Sequence, residues 1–212
     1  MKLLMFEHCS LCFRVRMIAA FKGIHLAEQV VEDDDSAAMT DLVGRRVIPI
    51  LVLDDGTPML ESWDMVDYID AIGTPVLTGR ERPEIAALAD RMLKITPFLT
   101  MPRYPLLPLP EFRTVAARDH FILRKRESYP DLTLLRARTR DYLAELGPVL
   151  DALDAEIDSP QAINGTLSRD DLRIVPLLRS AAVVEGLTMP RLVEGYFRNM
   201  MDRVGFRPLP RI

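Results

Sequence analysis

The sequence contains few of the residues that form covalent or metal cross-links. It has two cysteines, three histidines and one tryptophan among 212 residues. A structural zinc site needs four protein ligands, and two cysteines with the scattered His8, His25 and His120 do not supply them at metal-binding spacing. We therefore expect no metal site. Because 49% of the residues are hydrophobic, a core of ordinary size forms without disulfides.

Long apolar runs and basic tracts are also missing, and no N-terminal leader is expected. No stretch of about 18 apolar residues is present, so we expect no membrane-spanning helix and no membrane partner. The formal net charge is −4, and no basic tract is long enough to neutralise several phosphates, which argues against nucleic-acid binding. Residues 1–6 are followed at once by the polar Glu7 and His8, too early for a secretory signal. These absences predict a cytoplasmic protein, in which a stable structural disulfide is not expected.

The first third of the chain alternates between strand and helix patterns. Short apolar runs are separated by segments with apolar residues at helical spacing, and Asp55-Gly56 is a strong hairpin signal between the last two strands. The order β-α-β-α-β-β-α predicts a mixed sheet covered by helices on both faces. We expect one α/β domain over residues 1–72. Its predicted segments are 2–6, 12–23, 27–32, 36–44, 49–60 and 62–73.

The pattern changes after residue 72. Residues 73–83 contain two glycines and two prolines without periodicity, which predicts a linker. No strand pattern follows, and four prolines in residues 101–110 predict an extended break between helices. We expect an all-helical domain over residues 84–212. Its helices are predicted at 84–99, 111–127, 131–157 and 168–186, the latter with a capping box of Ser168 and Asp171, and a last helix is predicted to carry Pro190 in its first turn.

Both cysteines lie in the short segment "EHCSLCF", at Cys9 and Cys12. A Cys-x-x-Cys pair between a predicted strand and the start of a helix is typical of a thioredoxin-like redox motif. Cys9 falls just before the first helical turn, where unpaired N–H groups and the helix dipole stabilise a thiolate. Cys12 is expected on the same helical face, buried and protonated until it attacks a mixed disulfide on Cys9. Two inert buried thiols are the alternative interpretation.

A second signal is Pro49, within the apolar run "VIPILVL". A proline inside a strand-like run lies at a sheet edge or at the start of a strand, and X-Pro bonds can be cis. In a thioredoxin-like domain, the Ile48-Pro49 step faces the cysteine motif. A cis bond there would turn the N–H and C=O groups of Ile48 outward, where they can pair with a peptide substrate. A plain edge-strand proline is the alternative.

A third signal is the pair Glu61-Ser62 at the start of the last helix of the α/β domain. We expect Ser62 to be the N-cap, which makes this helix end an anion site suited to a ligand carboxylate. Glu61 beside it would suit the ammonium group of the same ligand. A γ-glutamyl group carries both charges, although an ordinary N-cap has the same appearance in the sequence.

Together these motifs resemble those of a known family. A thioredoxin-like domain with "HCSLC", "IPIL" and "ES", a short linker and an all-helical domain are similar to the glutathione transferase superfamily fold. The chain resembles more closely the two-domain bacterial glutaredoxins of the glutaredoxin 2 family. The resemblance runs nearly end to end and includes "PVLTGRERP", "PEFRTVAARDHF", "NGTLSRDDL" and "PLLR".

The resemblance implies glutathione-dependent thiol–disulfide exchange with glutathione as the reductant. Cys9 would attack a substrate disulfide or a glutathionylated thiol, and Cys12 would resolve the dithiol route. The substrates would be proteins or small molecules that carry such disulfides. The family is usually monomeric, so a monomer is expected.

The resemblance also implies how glutathione is held. The backbone of Ile48 beside a cis Pro49 would bind the cysteinyl part, and Glu61 with Ser62 would bind the γ-glutamyl end. Arg46 is a plausible electrostatic helper. The all-helical domain would form the far wall of the site.

The residues between the cysteines depart from the family pattern. The family motif is typically Cys-Pro-Tyr-Cys, whereas Ser10 and Leu11 stand here. Losing the proline restores a backbone N–H, which can change thiolate stabilisation and redox poise. Some glutaredoxins with serine here hold an iron–sulfur cluster between two subunits, so a glutathione-dependent cluster carrier is one alternative. A glutathione transferase-like conjugating enzyme is another, but it would need Tyr or Ser in place of Cys9.

Overall fold

One mixed sheet of four strands organises the N-terminal part of the chain. In the computed structural model, which describes residues 1–212, the strand order is β2-β1-β3-β4. Strand β1 pairs in parallel with β2 and antiparallel with β3, and β3 pairs antiparallel with β4, so the predicted mixed sheet is confirmed. The strands are β1 (Lys2–Met5), β2 (Ala27–Val30), β3 (Ile50–Val52) and β4 (Pro58–Met59).

Three helices accompany this sheet: α1 (Ser10–Phe21), α2 (Ala37–Val43) and α3 (Ser62–Asp70). Side chains alternate between the two faces of a strand. Leu4 and Ile50 therefore share one face, where they form a buried cluster with Met39 of α2. Leu3 and Leu51, which pair across β1 and β3, point to the other face and are fully buried. Helices α1 and α3 pack against each other.

The turn between β3 and β4 falls at Asp55-Gly56, as the sequence predicts. Gly56 has a φ of 88°, in the left-handed region that suits glycine. Asp55 Oδ1 accepts a hydrogen bond from the N–H of Thr57 at 2.9 Å, which fixes the turn locally. The hairpin thereby places the start of α3 directly after β4.

The contacts between residues divide the chain into two compact units that do not follow the order of the sequence. One unit comprises Met1–Thr74 and Tyr104–Tyr129, and the other comprises Pro75–Arg103 and Pro130–Ile212. Residues 104–129, expected inside the all-helical domain, therefore group with the sheet by contact. The domain boundaries expected from the sequence stay a prediction.

The proline-rich segment interrupts the helices as predicted, but it is not simply extended. It contains two short 3-10 turns, Tyr104–Leu106 and Pro110–Phe112, because proline also suits the first position of a helical turn. Helix α5 (Val115–Lys125) follows, and Thr114 caps it by accepting from the N–H of Ala117 at 3.0 Å. These turns bring residues 110–112 into the first unit.

Five helices form the second unit: α4 (Pro83–Thr100), α6 (Leu132–Ala137), α7 (Thr139–Ala155), α8 (Arg169–Ala181) and α9 (Arg191–Val204). Helix α4 packs against α7 and α8. The single helix predicted over 131–157 is wrong, because Arg138 leaves helical geometry with φ −92° and ψ 16° and separates α6 from α7. None of the chain's nine helices combines the length and hydropathy needed to cross a membrane.

The capping box predicted at the start of α8 is confirmed. The N–H of Ser168 donates to Asp171 Oδ2 at 2.8 Å, and the Ser168 side chain accepts from the Asp171 backbone in return. Asp171 Oδ1 also accepts from the hydroxyl of Tyr196 at 2.8 Å. Pro190, predicted within the first turn of the last helix, is instead the N-cap of α9, one residue earlier.

Candidate active site

Cys9 occupies the N-cap of α1, as the sequence predicts. Its backbone is extended, with φ −73° and ψ 119°, and its carbonyl accepts from the N–H of Phe13 at 3.0 Å. Its Sγ accepts from the N–H of Cys12 at 3.4 Å, in the position where a serine or aspartate oxygen usually caps a helix. The Cys9 N–H donates to the Phe6 carbonyl at 3.2 Å, which turns the chain out of β1. The sulfur therefore lies at the positive end of the helix dipole.

The two thiols differ strongly in acidity. Hydrogen bonding from the Cys12 thiol, against the opposing effect of burial, lowers the pKa of Cys9 from 9.0 to about 6, helped by the N–H of Cys12 and the charge of His8. Burial, and then the hydrogen bond and charge of Cys9, raise the pKa of Cys12 well above its ordinary value. Both thiols are free, Cys9 half-buried and Cys12 buried. At neutral pH this geometry supplies one thiolate and one protonated thiol.

His8 and Glu111 form a buried hydrogen-bonded pair beside the cysteines. Glu111 Oε1 accepts twice from His8, from the backbone N–H at 2.9 Å and from Nδ1 at 2.6 Å. Burial raises the pKa of Glu111, but the hydrogen bond and charge of His8 outweigh it and hold that pKa below its ordinary value. Glu111 lies far along the chain, next to a proline-rich run, and no local pattern marks it as a site residue.

Aromatic rings enclose the imidazole of His8. The ring of Phe6 stacks on it with centroids 5.6 Å apart, and that of Phe112 at 5.2 Å. The ring centroid of Tyr104 lies 4.5 Å from that of His8, and Phe121 contacts the imidazole edge-on with centroids 5.7 Å apart. His8 is only 9% exposed, so its orientation is fixed by packing as well as by Glu111.

The Ile48-Pro49 peptide bond is cis, which confirms that prediction. Pro49 is buried at the start of β3, where its missing N–H leaves no ladder hydrogen bond unmade. Ile48 is half-buried and packs on the same apolar cluster as Cys9, the cluster that contains Phe6 and Ile50. The structure therefore brings Ile48 and Cys9 onto one patch of the core.

The prediction that Ser62 caps α3 is wrong by one residue. Glu61 is the N-cap, with an extended backbone of φ −93° and ψ 120°, and its side chain makes no capping hydrogen bond. Its carbonyl accepts from the N–H of Met65 at 3.1 Å, so the helix begins at Ser62. Glu61 is exposed and Ser62 is buried. The Glu61 side chain does not cap the first turn, so the helix start keeps the geometry of an anion site although Ser62 is not its cap.

Arg14 joins this helix start to α1, a contact that the sequence pattern does not indicate. Its Nη1 donates to Ser62 Oγ at 3.0 Å, and its guanidinium lies 3.9 Å from the ring centroid of Trp63. Stacking on Trp63 holds a positive charge beside the N-terminus of α3.

Arg46, the suggested electrostatic helper, is bound to a buried aspartate. Its Nη2 donates to the carbonyl of Asp33 at 2.6 Å and to Asp33 Oδ1 at 3.0 Å. Asp33 also pairs with His120 Nδ1 at 2.8 Å and with Arg124 at 3.3 Å. Lys125 lies near the same charges. Burial, and then the charge of Arg124, lower the pKa of Lys125, while the charge of Cys9 opposes this effect. Arg46 therefore shares one buried carboxylate with His120 and Arg124.

The arrangement suits thiol chemistry. No group of three or more histidine, cysteine, aspartate or glutamate side chains is arranged to hold a metal ion. A thiolate at a helix N-cap, a protonated thiol one turn later and an uncapped helix start with an arginine can together attack a disulfide and hold an anionic ligand.

Two family models match the chain, one in each half. The N-terminal domain of glutathione S-transferases matches residues 8–72, and the glutaredoxin 2 C-terminal domain matches residues 84–210. The chain is 37% identical to glutaredoxin 2 of Escherichia coli strain K12 over 201 residues, 94% of either chain.

One solved structure supports the same family, and another shares the fold. Glutaredoxin 2 from Salmonella typhimurium, in complex with glutathione, superposes with a TM-score of 0.95 at 35% identity, over 98% of this chain and 96% of that one. A glutathione S-transferase from Methylobacillus flagellatus with GSH bound has a TM-score of 0.64 at 16% identity, over 100% of this chain and 99% of that one. The second likeness concerns the fold alone.

Proposed function

The chain belongs to the glutaredoxin 2 family, and we propose that it catalyses glutathione-dependent thiol–disulfide exchange. The observation that carries the proposal is Cys9 at the N-cap of α1, with its pKa lowered to about 6. At neutral pH most of this thiol is thiolate, the form that attacks disulfides. The glutathione bound to the Salmonella relative supports glutathione as the co-substrate.

The reaction follows from the unequal thiols. The Cys9 thiolate attacks one sulfur of the substrate disulfide, the S–S bond breaks, and the other sulfur leaves as a thiolate. In the monothiol route, glutathione attacks the glutathionylated Cys9 and leaves as glutathione disulfide. In the dithiol route, Cys12 attacks the mixed disulfide and releases the substrate thiol. Two molecules of glutathione then reduce the Cys9–Cys12 disulfide.

Glutathione binding is proposed along two surfaces. The N–H and C=O groups of Ile48, next to the cis Pro49, pair with the cysteinyl residue of glutathione. The γ-glutamyl carboxylate binds at the start of α3, where Glu61 makes no side-chain capping bond and Arg14 adds a positive charge beside Ser62. Glu61, exposed at the N-cap, pairs with the ammonium group of the same glutamyl end.

Partners and setting complete the proposal. The substrates are glutathionylated proteins and other disulfides, the protein acts as a monomer, and its compartment is the cytoplasm. The proposed redox couple uses both cysteines of the chain and leaves none for a structural disulfide, as is usual in a reducing compartment. Light scattering on the reduced protein tests the monomer, since a dimer would double the measured mass.

The direct test is reduction of a glutathione mixed disulfide by glutathione. We expect Cys9→Ser to lose at least about a thousandfold in rate, because a hydroxyl does not form the nucleophile at neutral pH. Cys12→Ser is the matched control, since it removes the other thiol and keeps the monothiol route. Equal activity of Cys9→Ser and the wild type would contradict the proposal.

The cluster-carrier alternative makes a different prediction. Anaerobic reconstitution with iron, sulfide and glutathione would give a brown dimer if a cluster bound through Cys9 and glutathione thiols. We expect a colourless protein of unchanged mass. A stable brown dimer with little mixed-disulfide turnover would favour the carrier.

A further inference from the structure

Cys12 has to lose a proton in the dithiol route, yet water does not reach it. Its side chain is 0% exposed, and burial raises its pKa well above the ordinary value. Only the thiolate of Cys12 attacks a disulfide at a useful rate. Because the sulfur is sealed from solvent, the proton needs an acceptor inside the protein.

Glu111 has an oxygen free for that purpose. The residue is 0% exposed, and His8 donates both of its hydrogen bonds to Oε1. Oε2 is buried and has no hydrogen-bond partner. A buried carboxylate oxygen without a donor is costly and rare, so it invites a functional explanation. Glu111 also acts on Cys12, since its negative charge contributes to the raised pKa of that thiol.

The other ionisable groups nearby are engaged when Cys12 attacks. The sulfur of Cys9 is then part of the mixed disulfide and accepts no proton. His8 Nδ1 is hydrogen-bonded to Glu111. Asp33, whose N–H donates to the Glu111 carbonyl at 3.0 Å, has its carboxylate bound to cations. Helix α5 also carries Arg118, Asp119, His120, Arg124 and Lys125, and the neighbouring segments add Arg46 and Tyr104.

We propose that Glu111 accepts the proton of Cys12 as Cys12 attacks the mixed disulfide on Cys9, an inference that rests on the proposed function. The electron pair of the Cys12 sulfur forms the bond to Cys9, and the bond between Cys9 and the substrate sulfur breaks. The substrate leaves as a thiolate with that electron pair. When glutathione later reduces the Cys9–Cys12 disulfide, Cys12 leaves as a thiolate and takes the proton back from Glu111.

His8 is the positioning residue in this step. Its two donors hold Oε1 and leave Oε2 available, while the four rings around the imidazole prevent it from turning away. Glu111 is itself 0% exposed, so water does not reach its carboxylate. General base catalysis requires a positioned proton acceptor, and such catalysis contributes about 10²- to 10⁴-fold in enzymes.

One stopped-flow trace separates the two cysteines. The reduced protein is mixed with a symmetrical nitrobenzoate disulfide whose released thiolate is coloured. The first release reports attack by Cys9 and depends on reagent concentration, whereas the second reports attack by Cys12 and does not. For Glu111→Gln, which keeps the size of the side chain, we expect the second phase to slow about 100-fold at neutral pH and the first by less than about threefold.

The pH dependence distinguishes a proton acceptor from a structural role. In the wild type, the rate of the second phase should stay flat from about pH 5.5 to 7.5, because the pKa of Glu111 lies below its ordinary value. In Glu111→Gln it should rise about tenfold per pH unit, because hydroxide must then remove the proton. Glu111→Asp keeps the carboxylate and should retain the flat profile at a lower rate.

Three outcomes would overturn the proposal. A Glu111→Gln second phase with wild-type rate and pH profile would show that another group takes the proton. Equal slowing of both phases would assign Glu111 a structural role, and so would a pH-dependent second phase in Glu111→Asp. If Glu111→Gln does not fold, the pH profile of Glu111→Asp still tests the proposal. Failure of the proposed function would look different, since the wild type would show both phases but no turnover with glutathione.

Discussion

The N-termini of α1 and α8 have similar cap backbones but serve different roles. Each has an extended cap residue, Cys9 in one and Ser168 in the other. Ser168 is 0% exposed and closes a reciprocal box with Asp171, so the polar groups of that helix start are satisfied locally. Cys9 is half-buried, and its Sγ accepts from the N–H of Cys12 at 3.4 Å without a reciprocal side-chain bond to the cap backbone.

This difference shows that a helix N-cap can serve either stability or chemistry. A closed cap uses up the unpaired N–H groups, whereas an open cap leaves their partial charge for a thiolate. The start of α3 is a third case, because Glu61 caps without a side-chain bond and Arg14 supplies a charge. Substitutions at these three helix starts should therefore affect different measurements.

The largest expected effect concerns the pH dependence of stability at Cys9. Its pKa is about 6 in the folded protein against an ordinary 9.0, so folding favours the thiolate. The stabilisation is complete above about pH 9 and is lost as the pH falls through about 6. Relative to Cys9→Ser, the free energy of unfolding of the reduced wild type should rise by about 2 kcal/mol from pH 6 to 8. Chemical denaturation under reducing conditions measures it. A constant difference across this range would contradict the open-cap description.

A smaller effect is expected at the start of α3. Arg14→Ala removes the charge held over Trp63, so we expect the KM for glutathione to rise about tenfold, the effect of one charged hydrogen bond, with kcat nearly unchanged. Steady-state kinetics at varied glutathione concentration measures this. Arg140→Ala, which removes an exposed arginine from α7, is the matched control. The same KM in both variants would remove Arg14 from the proposed binding site.

The smallest expected effect is at the closed cap. Ser168→Ala should lower the free energy of unfolding by about 1 kcal/mol and leave glutathione turnover intact. Ser36→Ala is a matched control, because Ser36 is the N-cap of α2 but makes no side-chain capping bond. Denaturant titration compares the two. Equal losses would mean that the reciprocal bonds of the box contribute nothing.

Much of the fold could be predicted because its signals are local. The alternation of strand and helix patterns, the Asp55-Gly56 turn and the Ser168 box each depend on a few neighbouring residues, and the structure has all of them. The break at Arg138 was missed because the apolar spacing continues through it. The cap of α3 was misplaced by one residue because serine is a more typical cap than glutamate.

The candidate site was predictable only in part, for the same reason. Cys9, Cys12 and the cis Pro49 follow from short motifs with a known physical role. Glu111 was not predictable, because its partner His8 is 103 positions away and nothing near it in the sequence indicates the contact. The side-chain direction of Arg14 likewise depends on Trp63 of another helix.

The pH dependence of alkylation, read separately for each cysteine, tests the central claim that one open cap makes two unequal thiols. The reduced protein is treated briefly with iodoacetamide across the pH range, and the modification of each cysteine is read from its peptides by mass spectrometry. We expect Cys9 to react with a midpoint near pH 6, from its lowered pKa of about 6, and Cys12 to stay unmodified. Two cysteines that react alike, each with the midpoint of an ordinary thiol at about pH 8.5, would contradict the account.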